Sequence, residues 1–310
     1  MFSVVFPGQG SQVIGMGNEF YKKYQLVKDL FKMANETLNY DLSKLILEGP
    51  KSDLDLTTNT QPAIFLVSYS IFSVIKKEHN IDLNKAKFFA GHSLGEYSAL
   101  ACAEYLSFSD TIKILKFRGE AMQNSVPKGE GGMLAILATS VENIENIIEE
   151  NKKNFFLQIA NDNSDGQIVV SGRINDLNKV MELLKTKSIK NIQLPVSAPF
   201  HCSLMENATK LMSDKINNLN ILNGKNNLVS NVSARDVSDP DQIKDLLIKQ
   251  IESRVRWRES MLYMINANIT KFIEIGPGKV LSGLLKRIDK NVKSISVNSD
   301  EDIKNLDIKL

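Results

Sequence analysis

Short β-rich runs alternate with stretches of helical period from one end of the chain to the other, and no other feature restricts the fold as much. That alternation is the pattern of an α/β protein with a largely parallel sheet. Phe2 to Phe6 reads as the first strand, running into Pro7 and Gly8. Helical patterns follow over roughly 18 to 37 and 62 to 78, the second placing Pro62 at the first helical position, where its missing N–H is no loss. Residues 87 to 90 read as a short strand. A helix follows from about Leu94 through Ala103, and another runs from Ser109, as N-cap, to about Ser125.

The rhythm changes near Gly129. Strand-like Met133 to Ala138 precedes a helix over 141 to 150, strands over 155 to 160 and 167 to 171, a helix over 174 to 187 and a strand over 189 to 194. The order βαββαβ is the ferredoxin-like plan, so 129–195 reads as a small domain inserted between 1–128 and 196–310. The larger part resumes with a helix over 203 to 217, a strand over 228 to 231, helices near 240 to 251 and 257 to 266, and a strand over 271 to 275.

Composition excludes several classes. At 310 residues, 43% hydrophobic and 24% charged, the chain can bury a large core and is neither disordered nor fibrous. Thirty-eight basic against 36 acidic residues leave a net charge of +2, which gives no general field for nucleic acid. No apolar run approaches the roughly 18 to 20 residues that span a bilayer, and the first is too short for a signal sequence. Two cysteines, Cys102 and Cys202, and three histidines build no disulfide framework and leave little for a metal. The expectation is a monomer without metal or cofactor, free of membrane and nucleic acid. It would work in the cytoplasm, or in an organelle matrix if a targeting segment is missing.

Gly91-His92-Ser93-Leu94-Gly95 lies between the strand at 87 to 90 and the helix starting at Leu94. A Gly-x-Ser-x-Gly turn in that context is a nucleophile elbow, which lifts a serine oxygen clear of the sheet. Free N–H groups at the helix start, that of Leu94 in particular, suit an oxyanion. A serine hydroxyl needs a base within reach. His79 lies in the polar stretch Lys76-Lys77-Glu78-His79-Asn80 and reads as solvated surface. His92 adjoins the serine, but neighbouring side chains diverge, so it reads as a pocket wall. His201 remains, in the proline-punctuated loop Pro195 to Cys202 before a helix. Cys202 reads as a small buried residue, not a thiol catalyst.

With these residues in place, the sequence resembles the malonyl-CoA:acyl carrier protein transacylases of type II fatty-acid synthesis over nearly its whole length. The shared signatures are Phe6-Pro7-Gly8-Gln9-Gly10-Ser11-Gln12, Thr60-Gln61-Pro62-Ala63, Gly91 to Leu100, Arg118-Gly119 with Met122-Gln123, Pro199-Phe200-His201, Val255-Arg256-Trp257 and Glu274-Ile275-Gly276-Pro277-Gly278. The resemblance implies an α/β-hydrolase-like core carrying a ferredoxin-like subdomain. It implies that Ser93 forms an acyl-enzyme with His201 as base, and that malonyl-CoA and acyl carrier protein are the partners. It further implies an oxyanion hole from the N–H groups of Gln9 and Leu94, and a Gln250 carbonyl that orients His201, although Gln250 by itself reads as helix surface. Arg118 would pair with the malonyl carboxylate, where an arbitrary helical arginine would form a surface ion pair with Glu120, Asp110 or Glu130. Asn161 and Asn163 match positions that face substrate, and Phe200 fits a malonyl over a branched methylmalonyl unit. Arg254 departs from the proline common at that position, which bears on the loop after Gln250. Lys279, Lys286, Arg287 and Lys290 are candidates to steer an acidic carrier protein. A serine esterase shares the elbow but usually carries its histidine late in the chain. A non-catalytic scaffold would have no use for Ser93, His201 and Arg118 together.

Overall fold

Six strands form the main sheet of the computed structural model, which describes residues 1–196 and 198–306; Ser197, in the proline-punctuated loop, and 307–310 lie outside the described residues. In chain order the main part opens with β1 (Phe2–Phe6), α1 (Asn18–Lys23), α2 (Gln25–Leu38), α3 (Leu42–Glu48), α4 (Lys51–Leu54), α5 (Thr57–Lys77), β2 (Phe88–Gly91), α6 (Leu94–Cys102) and α7 (Phe108–Gln123). A second unit follows with β3 (Gly131–Leu137), α8 (Val141–Asn151), β4 (Leu157–Ser164), β5 (Gln167–Arg173), α9 (Ile174–Thr186) and β6 (Asn191–Gln193). The chain then returns through α10 (Glu206–Asn217), β7 (Asn227–Val229), β8 (Asp236–Val237), α11 (Pro240–Gln250), α12 (Trp257–Asn266), β9 (Lys271–Ile275), α13 (Val280–Ile288), β10 (Lys293–Val297) and α14 (Asp300–Lys304).

The main sheet runs β10-β9-β1-β2-β7-β8, parallel throughout except for β8, which pairs antiparallel with β7. Every residue of β1 and β2 is buried, as expected of central strands covered on both faces. The second sheet, β4-β5-β3-β6, is antiparallel. Side chains alternate across it. Leu134, Ile136, Ile168 and Val170 pack under α8 and α9, whereas Met133, Ala135, Ala160 and Val169 join the core of the main part. The two sheets therefore share apolar packing. Among the described residues no helix is long and apolar enough to cross a membrane.

Several boundaries differ from the sequence reading. The helix expected at 62 begins at Thr57, because the Leu56 carbonyl already accepts from Asn59 and Thr60, and Pro62 lies inside α5. The pattern over 18 to 37 is two helices, broken where Tyr24 is extended at φ −111° and ψ 124°. Ser107, not Ser109, caps α7 by accepting the Asp110 N–H at 3.0 Å. The short elements α3, α4, β8, β10 and α14 had no counterpart in the sequence pattern.

Candidate active site

Ser93 sits between β2 and α6 at φ 53° and ψ −107°, a conformation an L-residue holds only when its surroundings enforce it. Close approach accounts for the flanking glycines. A Cβ at Gly91 would lie 1.9 Å from the Gly95 carbonyl oxygen, and one at Gly95 would lie 2.3 Å from that of Phe6 at the end of β1. Buried Asn231, just past β7, clamps the same turn: its Oδ1 accepts the Ser93 N–H at 2.7 Å, and its Nδ2 donates to the Gly91 carbonyl at 2.7 Å. The main-chain N–H groups of Leu94 and Gln9 have no acceptor among the described residues, and both residues border the cleft. Two free donors beside a serine can stabilise an oxyanion.

His201 is 4% exposed, at φ 60°, with Nε2 2.8 Å from Ser93 Oγ. Its Nδ1 faces the Gln250 main-chain carbonyl at 2.8 Å. A carbonyl only accepts, which assigns the proton to Nδ1 and leaves an Nε2 lone pair for the serine hydroxyl. Burial, with the nearby Arg118 charge, pushes the His201 pKa down to about 3. The neutral imidazole is the form that can take a proton. The second sheet holds its loop in place. Ser171 on β5 donates to the Phe200 carbonyl, Gln158 on β4 accepts the Ser203 N–H at 2.6 Å, and Gly131 on β3 lies against the Pro199 ring.

Arg118, projecting from α7, is 1% exposed. Nη1 donates to Gln61 Oε1 at 2.8 Å, and Nη2 donates to Gln250 Oε1 at 2.8 Å and Ser93 Oγ at 3.2 Å. All three acceptors are neutral. The surface ion pair open to an arbitrary arginine does not form: Glu120 pairs with Lys116, and Asp110 with the Ser107 cap. A buried guanidinium facing a cleft and hydrogen-bonded only to neutral acceptors, with the Glu96 carboxyl acting on it through space, suits an incoming carboxylate. Gln250 is fully buried, not the helix surface its neighbours in sequence suggest, and its Nε2 donates to the Ser93 carbonyl at 3.0 Å and to Glu96 at 2.6 Å. Burial raises the Glu96 pKa to about 7.

Phe200, His92 and Asn161 border the cleft. Asn163 does not; its Oδ1 lies 2.8 Å from His92 Nε2 and holds that ring, which also leans on Trp257. His79, expected in solvent, contacts Tyr24 Oη at 3.0 Å and Asp300 at 3.3 Å. The Cys202 thiol donates to the Pro199 carbonyl, and burial pushes its pKa up to about 11, so no thiolate forms there. Arg254 reaches Glu145 of α8 at 2.9 Å, while Val255 bridges to β4 through the Ala160 carbonyl at 2.8 Å. Lys279, Lys286, Arg287 and Lys290 are exposed on and beside α13. Asn231 is a site residue that sequence reasoning passed over, while Gln61 and Glu96 stood within the shared signatures with no role assigned. Glu96 did leave a signal, since it is the one charge in a helix that is otherwise apolar or small and wholly buried. Among the described residues no cluster of His, Cys, Asp and Glu is arranged to hold a metal.

Comparison with known proteins adds four findings. The acyl transferase domain family matches residues 3–304. A malonyl CoA-acyl carrier protein transacylase of Bacillus subtilis is 43% identical over 301 residues, covering 96% of this chain and 94% of that protein. In structure, the acyl-carrier-protein-S-malonyltransferase of Bartonella henselae superposes with a TM-score of 0.95 at 40% identity, over 98% of this chain and 97% of that one. A malonyl-transacylase solved in complex with its type II PKS acyl-carrier protein gives 0.94 at 33% identity, over 98% of each chain.

Proposed function

The chain belongs to the acyl transferase family, among the malonyl CoA-acyl carrier protein transacylases, and from that premise we propose that it carries a malonyl group from malonyl-CoA to the phosphopantetheine thiol of acyl carrier protein through a seryl ester. One observation carries this reading: the unbroken contact from the Gln250 carbonyl through His201 to Ser93 Oγ, set beside a buried arginine whose hydrogen-bond acceptors are all neutral.

Ser93 Oγ attacks the thioester carbonyl carbon while His201 Nε2 takes the hydroxyl proton. The N–H groups of Gln9 and Leu94 bind the oxyanion. As the tetrahedral adduct collapses, the C–S bond breaks and His201 returns the proton to the departing sulfur of CoA. In the second half the carrier thiol gives its proton to His201 and attacks the malonyl ester, and the proton goes back to Ser93 Oγ as the ester bond breaks. Arg118 grips the free carboxylate throughout, and Phe200 and His92 wall the acyl pocket.

The same premise supports reading 1–128 with 196–310 as an α/β-hydrolase-like core and 129–195 as a ferredoxin-like insert, for which the strand order β4-β5-β3-β6 speaks. The exposed cations of α13 are our choice for the approach of the acidic carrier. All of the catalytic parts come from one chain, which suits a monomer, and two unpaired buried cysteines suit a reducing cytoplasm. Labelled malonyl-CoA incubated with the protein and purified holo carrier protein tests the activity. Malonyl-carrier protein is the expected product; free malonate alone would make the protein a thioesterase, and no turnover would make it a scaffold.

A further inference from the structure

Glu96 belongs to none of the catalytic contacts described above. It is the third residue of α6, 1% exposed, and does not border the cleft. Two N–H donors nevertheless converge on one of its oxygens: Gln250 Nε2 at 2.6 Å and the Asn231 main chain at 3.2 Å reach Oε2. Each donor belongs to a residue that holds the reacting groups. Asn231 grips the Ser93 turn, and the Gln250 amide oxygen accepts Arg118 Nη2 at 2.8 Å.

An amide has a donor end and an acceptor end, so its direction matters. Turned half a revolution, the Gln250 amide would set its oxygen against the Glu96 carboxylate and the Ser93 carbonyl, and its NH2 against the guanidinium. All three contacts would be lost. Glu96 is the nearest of three acceptors for Nε2, the others being the Ser93 carbonyl at 3.0 Å and Asn231 Oδ1 at 3.5 Å, so its loss weakens the hold that keeps Oε1 toward Arg118. We propose that Glu96 is a positioning residue for acyl-group selection: it fixes the Gln250 amide, and through that amide the direction in which Arg118 meets the substrate carboxylate. This rests on the reading of Arg118 as the malonyl-binding residue.

The test is the ratio of kcat/KM for malonyl-CoA to that for acetyl-CoA, with holo carrier protein as acceptor, in wild type, Glu96→Gln, Glu96→Ala, Gln250→Met and the double variant Glu96→Ala with Gln250→Met. Losing a hydrogen bond that orients a charge is expected to lower the ratio in Glu96→Ala by about tenfold or more, chiefly through the malonyl KM. Glu96→Gln should stay within about threefold of the wild-type ratio, because one amide oxygen can serve both donors. Gln250→Met keeps the carbonyl for His201 but removes the amide, and should reproduce the loss even if Glu96→Ala fails to fold. The double variant should fall no further than Gln250→Met, since Glu96 acts through that amide. A wild-type ratio in Gln250→Met, or a Glu96→Gln ratio as low as that of Gln250→Met, would overturn the proposal. A wild-type enzyme that does not distinguish the two substrates would instead overturn the reading of Arg118, and the positioning role with it.

Discussion

Burial, which penalises the imidazolium, and the positive Arg118 nearby keep His201 neutral, as its proposed role of base requires. Both effects lower its pKa, so protons reach Nε2 only in solution well below the ordinary histidine value of about 6.5. Single-turnover acylation by malonyl-CoA should therefore fall less than about twofold between pH 7.5 and 5.5, where an unshifted histidine would cost about tenfold. A tenfold fall would place the working pKa near 6.5 and contradict the burial argument. Stability carries the same sign. Between pH 6.5 and about 3 the unfolded chain binds a proton that the folded His201 does not, so stability drops as pH falls through that window. Arg118 gives the second prediction at this scale. Arg118→Ala should lose malonyl transfer by about two orders of magnitude or more and acetyl transfer far less, while Arg118→Lys recovers part of the malonyl rate without the bidentate geometry. An equal fall for both substrates in the ratio of specificity constants would make Arg118 structural. Ser93 and His201 were legible from residue types because few other groups compete for their roles. Gln250 was not, since the atom that faces His201 is a main-chain carbonyl, and no side-chain pattern encodes one.

At the scale of elements, the elbow between β2 and α6 is the part that the sequence exposed best, because the glycines that permit the turn also announce it. Gly95→Ala should place a methyl group against the Phe6 carbonyl, 2.3 Å away, and shift the turn. Acylation should fall by about tenfold or more with malonyl and acetyl thioesters alike, in contrast to the selective effect of Arg118→Ala. Rapid-quench kinetics with both thioesters would check this, and a wild-type rate would show that the turn has room. The cap of α7 makes a separate prediction. Ser107 accepts the Asp110 N–H, so Ser107→Ala should reduce stability by about 1 kcal/mol in denaturant unfolding and leave the malonyl-to-acetyl ratio unchanged. No change in the midpoint would return the helix start to another residue. Elements such as α3, α4 and β10 escaped sequence reading for a common reason: they are short, and their apolar residues are set by what they pack against rather than by a period of their own.

For the molecule as a whole, the alternation of strands and helices gave the order of elements, but it could not reveal that the second sheet turns one face into the main core. Met133, Ala135, Ala160 and Val169 do so, and Arg258 of α12 pairs with Asp162 of β4 at 3.0 Å. The loop bearing His201 is held by that sheet, while Ser93 is held by the first. Correct spacing of Ser93 and His201 therefore depends on the two sheets remaining packed. The most direct measurement of the central claim follows the malonyl group through this assembled site. After brief exposure to malonyl-CoA, intact-mass spectrometry and peptide mapping should find one malonyl group on Ser93 in the wild type, discharged when holo carrier protein is added, and none in Ser93→Ala. A malonyl adduct that persists at wild-type level in Ser93→Ala, or one on Ser93 that carrier protein cannot remove, would contradict the account.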